Sequence, residues 1–181
     1  MALPQKQFYT AEDYWNLPDG ERAELIDGQL YAMAPPSFVH QKLVSEISYQ
    51  FNHYIKSHNG DCEVIPAPFA VNLDADDKNW VEPDISVICD PDKLTDRGCS
   101  GAPDLIVEIV SPSSQWHDCM RKLLLYQRSN IREYWIVNPI TEITMVYDFS
   151  HNTFNVYPFP DPVPAGIFEQ QLMIRISELL K

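Results

Sequence analysis

The stretch Ala102-Pro-Asp-Leu-Ile-Val-Glu-Ile-Val-Ser111 decides the fold class. Its centre is apolar except for one residue, which predicts a β-strand. Strand alternation places Glu108 on the face that it shares with Ile106 and Val110. An acidic side chain in an apolar strand is costly to desolvate, so it needs a hydrogen bond, a cation or a metal ion as a partner. The sequence therefore predicts a strand that carries one functional acid.

Segments on both sides of this strand complete the predicted architecture. After it, Ser111-Pro-Ser-Ser114 supplies a turn and an N-cap for a helix from about 115 to 128. Before it, apolar residues at helical spacing predict a helix over 40–56, and the dipeptide Asp27-Gly28 predicts a tight hairpin. The order of elements predicts an α/β (α+β) fold, with one mixed sheet flanked by helices and an N-terminal β-hairpin. We expect a single domain over residues 1–181.

A second acidic residue stands at the start of another predicted strand. Asp84 follows Pro83 and begins the run from Ile85 to Cys89, and the proline holds it where its side chain can leave the sheet. If this strand lies beside the one that carries Glu108, the two carboxylates converge on one divalent cation. Mg²⁺ prefers oxygen ligands, binds one or two carboxylates and keeps several waters. Taken alone, an aspartate after a proline is more typical of a turn or cap.

The helix that follows Glu108 offers a cation. Asp118, Lys122 and Tyr126 are spaced i, i+4, i+8 and therefore lie on one stripe. An ammonium that faces the strand can orient a metal-bound water or take its proton. In the alternative, Lys122 pairs with Asp118 on a solvated face, and Tyr126 packs with its hydroxyl at the edge. His40 can reach a phosphate or metal-bound water, but a capping or surface role is the commoner one.

The composition limits the classes of function. Thirteen basic and 26 acidic residues give a net charge of −13, which opposes non-specific binding to DNA, RNA or anionic lipid. No apolar run approaches the roughly 18 residues of a membrane span, and a secretory signal pattern is missing, so we expect a cytoplasmic protein without membrane association. The cysteines lack metal-ligand spacing and are expected to be reduced thiols: Cys62, Cys89, Cys99 and Cys119. Phosphate-loop, serine-elbow and zincin motifs do not occur, which removes the corresponding enzyme classes.

Two patterns in the chain resemble known nucleases. Pro83-Asp84, followed 24 residues later by Glu108 (108 − 84), resembles the PD-(D/E)XK nuclease superfamily. A longer pattern surrounds Glu108 and comprises Ala102 to Ser114, then Asp118, Lys122 and Tyr126, then Glu133-Tyr-Trp-Ile-Val-Asn-Pro139. Together with the early hairpin Glu24-Leu-Ile-Asp-Gly-Gln, this pattern is similar to the Uma2 family of restriction endonucleases. This resemblance implies a restriction-endonuclease-like fold and an enzyme that uses Mg²⁺, with Mn²⁺ as a substitute, to hydrolyse DNA phosphodiester bonds.

The same resemblance implies roles for individual residues. Asp84 and Glu108 match the metal-binding carboxylates, and the backbone carbonyl of Ile109 would be a further metal ligand. The lysine expected two residues after the glutamate is missing, and Lys122 matches a lysine that has moved onto the following helix. Glu24 matches an additional acidic residue that the N-terminal part of such folds brings toward the metal.

The acidity of the chain leaves a second interpretation open. DNA binding requires cations that neutralise several phosphates. The candidates are few, namely Lys42, Lys56, Arg121, Arg128 and Arg132. We therefore expect weak DNA binding or help from a partner, and a homodimer is one such form because cutting two strands needs two active sites. The alternative function is a catalytically inactive module of the same fold that serves in interaction or regulation.

Overall fold

The computed structural model describes residues 8–111 and 116–181, with side chains for residues 8–111 and 119–181. The α-helices in these ranges are α1 (Ala11–Trp15), α2 (Phe38–Ser57), α3 (Trp116–Arg128) and α4 (Ile176–Leu179). The strands there are β1 (Ala23–Ile26), β2 (Gln29–Ala32), β3 (Glu63–Pro66), β4 (Val71–Asn72), β5 (Trp80–Val81), β6 (Ile85–Ile88), β7 (Leu94–Thr95), β8 (Gly98–Ser100), β9 (Leu105–Ile109), β10 (Glu133–Asn138), β11 (Ile143–Asp148), β12 (Thr153–Pro158), β13 (Val163–Pro164) and β14 (Met173–Ile174).

A mixed sheet forms the centre of the molecule. Within the described ranges its strand order is β12-β11-β10-β9-β6-β3. β9 and β10 are parallel neighbours, and α3 supplies the crossover that a parallel connection requires. The other neighbouring pairs of this sheet are antiparallel. The predicted mixed sheet flanked by helices is therefore confirmed.

Helix α2 covers one face of this sheet. Its apolar stripe, which includes Leu43, Ile47 and Phe51, packs against Val107 and Trp135 in one continuous core. The helix begins earlier than the predicted residue 40 because the Ser37 hydroxyl caps it and accepts a hydrogen bond from the His40 amide. No helix in the part of the chain that the structure describes is both long and apolar enough to cross a membrane.

A second sheet lies on the α3 side and includes the N-terminal hairpin. Its strand order is β2-β1-β5-β4-β8-β7 among the described residues. Asp27 and Gly28 both have positive φ, as the predicted tight turn requires. The second sheet was not predicted because β5, β7 and β8 have two or three residues each, too few to show an alternation pattern. Ile26 and Val81 of this sheet pack with Ile106 of β9 and Leu125 of α3.

The prediction that all four cysteines are reduced is wrong, because Cys62 and Cys89 form a disulfide. β3 and β6 pair antiparallel with Glu63 opposite Ile88, so one step further along the register Cys62 faces Cys89. This pairing follows from strand register, which cysteine spacing in the chain does not reveal. Cys99 and Cys119 are buried, as predicted.

Candidate active site

Asp84 and Glu108 face each other across two adjacent strands. β6 and β9 are antiparallel neighbours with Ile85 opposite Val107, so the next step of the register places Asp84 opposite Glu108. Side chains at directly opposed positions lie on the same face of a sheet, with Cβ atoms about 5 Å apart. Asp84 is also fixed by the Ile109 amide, which donates a 2.7 Å hydrogen bond to its Oδ2. The two strands that the sequence assigns to the acids are therefore neighbours.

Lys122 connects the acids of the two sheets. Its Nζ donates to Glu108 Oε1 at 2.9 Å and to Glu24 Oε1 at 2.8 Å. The residue is only 9% exposed, so the alternative of a lysine on a solvated helix face is wrong. Lys122 and Tyr126 of α3 face inward, because β1 with its Glu24 covers that side of the helix. The side chain of Asp118, the proposed partner in that alternative, lies outside the described residues.

Glu24 is itself held by the backbone of the second sheet. Its Oε1 accepts a 3.0 Å hydrogen bond from the amide of Glu82, which follows β5. β5 pairs with β1 through Leu25 and Trp80, and this pairing brings the N-terminal hairpin to α3. The resemblance assigned Glu24 to the site, and the pairing of β1 with β5 explains how a residue so early in the chain arrives there.

Tyr126 contributes a buried hydroxyl instead of one at the edge. Its OH donates a 2.7 Å hydrogen bond to Glu108 Oε1, and the side chain is fully buried. The expectation of a hydroxyl at the edge is wrong because Tyr126 lies one helical turn beyond Lys122, on the same inward stripe. Glu108 Oε1 thus accepts hydrogen bonds from both an ammonium and a phenol.

His40 contacts the other acid. Its Nε2 lies 3.1 Å from Asp84 Oδ2, and the residue is 8% exposed. The backbone of His40 takes part in the Ser37 cap, while its ring reaches the site. A cap or surface role was the favoured prediction for His40, and the structure combines the capping position with contact to Asp84. The one available signal was a histidine in the first turn of an amphipathic helix.

The charges of these groups depend strongly on burial and on one another. Burial, reinforced by the charges of Asp84 and Glu24, raises the pKa of Glu108 to about 7, although Lys122 opposes this shift. Burial acts to lower the pKa of Lys122, but Glu108 and Glu24 outweigh it and the pKa is raised, which keeps the amine protonated. Burial likewise acts to lower the pKa of His40, and the hydrogen bond and charge of Asp84 raise it overall.

A pocket of about 290 Å³ is lined by Glu24, His40, Asp84, Glu108 and Lys122. Among the described residues, the hydrogen-bond partners of the two acids contact Asp84 Oδ2 and Glu108 Oε1. The other oxygen of each carboxylate, Asp84 Oδ1 and Glu108 Oε2, is therefore left for a ligand. The described ranges contain no group of three or more His, Cys, Asp and Glu side chains arranged for a metal ion. Two carboxylates with water to complete the shell suit Mg²⁺, which keeps several waters. The donor set therefore fits the ion that the resemblance implies, and the Ile109 carbonyl as a third ligand stays a prediction.

A mixed sheet with acids on adjacent strands, and a lysine on the crossover helix behind them, defines a nuclease fold of the restriction-endonuclease type. The family model described as "Putative restriction endonuclease" matches residues 9–168. The chain therefore belongs to the Uma2 family. It is also 31% identical over 130 residues to the uncharacterized protein slr1290 of Synechocystis, covering 70% of this chain and 67% of that protein.

A solved structure has the same fold. The crystal structure of "a putative nuclease belonging to DUF820" from Anabaena variabilis superposes with a TM-score of 0.77. The match covers 94% of this chain and 97% of the Anabaena chain, at 22% sequence identity. At that identity the similarity establishes the fold, and the roles of individual residues rest on the geometry above.

Proposed function

We propose that this protein is a metal-dependent endonuclease that hydrolyses phosphodiester bonds of DNA with Mg²⁺, or with Mn²⁺ in its place. Membership of the Uma2 family supports nuclease activity. The observation that carries the proposal is the meeting of Asp84, Glu108 and Lys122 in one pocket, with the lysine 2.9 Å from Glu108. These are the groups that a metal-assisted hydrolysis of a phosphodiester requires.

Asp84 and Glu108 would hold the ion, with the Ile109 carbonyl as a further ligand. Bound there, Mg²⁺ would polarise the phosphodiester and lower the pKa of a coordinated water. The amide of Ile109 and the ring of His40 fix the orientation of Asp84. Tyr126 fixes Glu108 in the same way. Such supporting hydrogen bonds keep ligand side chains in their binding orientation before the ion arrives.

Lys122 acts in this proposal as a protonated group. Because the neighbouring carboxylates raise its pKa, the amine carries its proton at neutral pH and serves as a hydrogen-bond donor. An ammonium so placed orients the attacking water and stabilises the negative charge that develops on the phosphate oxygens. Glu24 anchors the ammonium at 2.8 Å and keeps it at the floor of the pocket.

One observation favours the alternative of a catalytically inactive interaction module. The net charge of −13 opposes binding of a polyanion, and few cations are available to offset it. The same experiment separates the two functions, because an inactive module neither cleaves DNA nor binds Mg²⁺ in this pocket.

The test is a plasmid-nicking assay with Mg²⁺ or Mn²⁺, in which wild type is compared with Asp84→Asn and Lys122→Met. We expect both variants to lose at least about 100-fold in rate, while Asp61→Asn, at an exposed position, keeps the wild-type rate. Titration calorimetry with Mn²⁺ provides a readout without turnover, and Asp84→Asn should weaken that binding. Equal nicking by all four proteins would indicate a contaminating nuclease and would remove support for the proposal.

A further inference from the structure

Strand β12 lies at one edge of the central sheet, and among the described residues its only neighbour in the sheet is β11. Just beyond β12, the Phe159 amide donates to the carbonyl of Glu142, which directly precedes β11. Hydrogen-bonded and non-hydrogen-bonded pairs alternate along antiparallel strands. Phe154 and Val156 lie an odd number of positions before Phe159, so their backbone N–H and C=O groups point away from β11, toward the open edge.

The side chains at this edge are apolar and accessible. Phe154 is 52% exposed and Val156 is 48% exposed. Phe154 lies opposite Tyr147 of β11, and the centres of the two rings are 4.6 Å apart. An exposed strand that combines apolar side chains with open backbone groups is a template on which another strand can pair.

The open edge lacks the charges that protect most edge strands. Residues 149–160 contain no Asp, Glu, Lys or Arg, although the chain has 13 basic and 26 acidic residues. The opposite edge of the sheet is β3, which begins with Glu63 and ends with Pro66. Charged residues and prolines are the features that prevent strand addition in natural proteins. The sequence therefore protects the β3 edge and leaves residues 153–157 of β12 open.

The net charge favours a second copy of this chain as the occupant of the edge. Two copies that each carry a net charge of −13 repel each other, so an uncharged surface is where they can meet. Pairing of β12 with β12 is isologous and uses the open edge of both copies, so the assembly closes as a dimer. Pairing of β12 with β3 would instead leave one open edge at each end and build a filament.

The register of such a pair follows from the backbone groups that the edge offers. With Asn155 opposite its own counterpart, the outward groups of Phe154 meet those of Val156 in the second copy. Phe154 and Val156 then also lie side by side on one face, which is a favourable cross-strand pair. Registers shifted toward either end would use Asn152, which has positive φ in the turn, or Pro158, which has no N–H.

We propose that the protein forms a two-fold symmetric dimer in which the β12 strands of two copies pair antiparallel and join the two central sheets. β10 and β11 separate this edge from β9 and its Glu108, so the dimer leaves the pocket uncovered. The inference therefore does not depend on the proposed nuclease function and is tested without DNA.

The first test is sedimentation equilibrium at about 100 μM protein, where we expect wild type to have twice the mass of one chain. Val156→Lys places a charge at the edge, and Val156→Pro removes an N–H that makes no bond to β11. Each should raise the dissociation constant at least about tenfold. The matched control is Met173→Lys, because Met173 is also 52% exposed but lies in β14 of another sheet, and this variant should dimerise as wild type does.

The salt dependence tests the role of charge. Screening weakens the repulsion between two acidic copies, so the dimer should tighten as NaCl rises from about 50 to about 500 mM. Weakening of the dimer over this range would indicate an interface held by ion pairs and would contradict pairing through an uncharged edge.

Cysteine cross-linking tests the register. Asn155→Cys places two thiols at directly opposed positions, where the Cα atoms lie about 4.5 Å apart and a disulfide can form. Thr153→Cys separates the thiols by four residues along the strands, roughly 14 Å, which is too far for a disulfide. Mild oxidation should therefore cross-link only the first variant on a non-reducing gel. The native cysteines do not interfere, because they are in a disulfide or buried.

The outcomes separate this inference from the proposed function. A wild type that stays monomeric would overturn the inference and leave a strand of a different protein as the occupant of the edge. A dimer that both Val156 substitutions leave unchanged, or equal cross-linking of the two cysteine variants, would overturn it as well. A monomer that nicks DNA would overturn this inference and leave the nuclease function intact. A β12-dependent dimer that cleaves no DNA would support this inference and contradict the nuclease function.

Discussion

Replacing Lys122 by methionine tests the buried cluster most directly. Methionine keeps most of the length and apolar contact of the lysine side chain but removes the ammonium that bonds to Glu24 and Glu108. Two carboxylates, each from a residue less than 10% exposed, would then lie near each other without a cation. The substitution therefore measures the electrostatic role of Lys122 rather than a loss of packing.

The expected cost follows from the burial of the pair. Removing one partner of a buried ion pair typically costs about 3–5 kcal/mol, because the remaining charge is left uncompensated. For a chain of 181 residues this corresponds to a drop in Tm of about 10 °C. Without the lysine the pKa of Glu108 rises further, so protonation offsets part of the cost, and the loss should be smaller at pH 5.5 than at pH 8.

The assay is urea unfolding followed by tryptophan fluorescence, since Trp135 is fully buried. Lys78→Met is the matched control because Lys78 also contacts a carboxylate, Asp76 at 2.9 Å, but its side chain is 75% exposed. This control should leave the unfolding midpoint unchanged within error. Adding Glu108→Gln to Lys122→Met should restore part of the lost stability, because it removes one of the two uncompensated charges.

Indistinguishable midpoints for the Lys122 and Lys78 variants at pH 8 would refute the reasoning. That result would place the Lys122 ammonium in solvent, and the contacts with Glu24 and Glu108 would then contribute nothing to folding. The proposed role of the lysine in the pocket would fail with it, because that role depends on the same position.

Three further predictions concern neighbouring features. The pKa of Glu108 in the folded state is raised to about 7 from 4.5, so between these pH values the folded state binds more protons than the unfolded state. The free energy of unfolding of the metal-free protein should therefore fall by about 3 kcal/mol as pH rises from 4.5 through 7. Glu108→Gln should remove this part of the pH dependence in urea unfolding. Replacing both Cys62 and Cys89 by serine should lower the free energy of unfolding by about 3 kcal/mol, as expected for opening a disulfide between residues 27 positions apart. Adding a reductant should not lower the free energy of unfolding of this variant any further. His40→Ala should slow DNA cleavage by about 10–100-fold through loss of its contact with Asp84, and His40→Gln should recover part of the rate in the same assay if the contact positions the carboxylate.

Local signals in the chain were sufficient for the main elements of the fold. The Asp27-Gly28 turn was predicted because positive φ at both residues is a property of the dipeptide itself. The stripe of α2 and the strand β9 were predicted because periodicity over several residues indicates a buried face. The face of Glu108 follows from the same rule, and Ile106 and Val110 do pack on the α3 side with it.

The short strands β5, β7 and β8 of the second sheet and the Cys62–Cys89 link were not predictable in this way. A strand of two residues, such as β5, has no periodicity to detect and forms beside a longer neighbour, here β1. The disulfide likewise depends on the register of β3 against β6. Register is set by the packing of whole strands, and the residues at one position carry little information about it.

The sequence by itself determined which acids and which lysine are available for chemistry, and on which side of its strand Glu108 lies. Only the tertiary structure decided that Lys122 reaches Glu24, 98 positions away, that Tyr126 donates to Glu108 and that His40 holds Asp84. The physical reason is the range of each signal. Backbone periodicity orients a side chain relative to its own helix or strand, whereas contact between distant residues arises from sheet register and from the packing of one element on another.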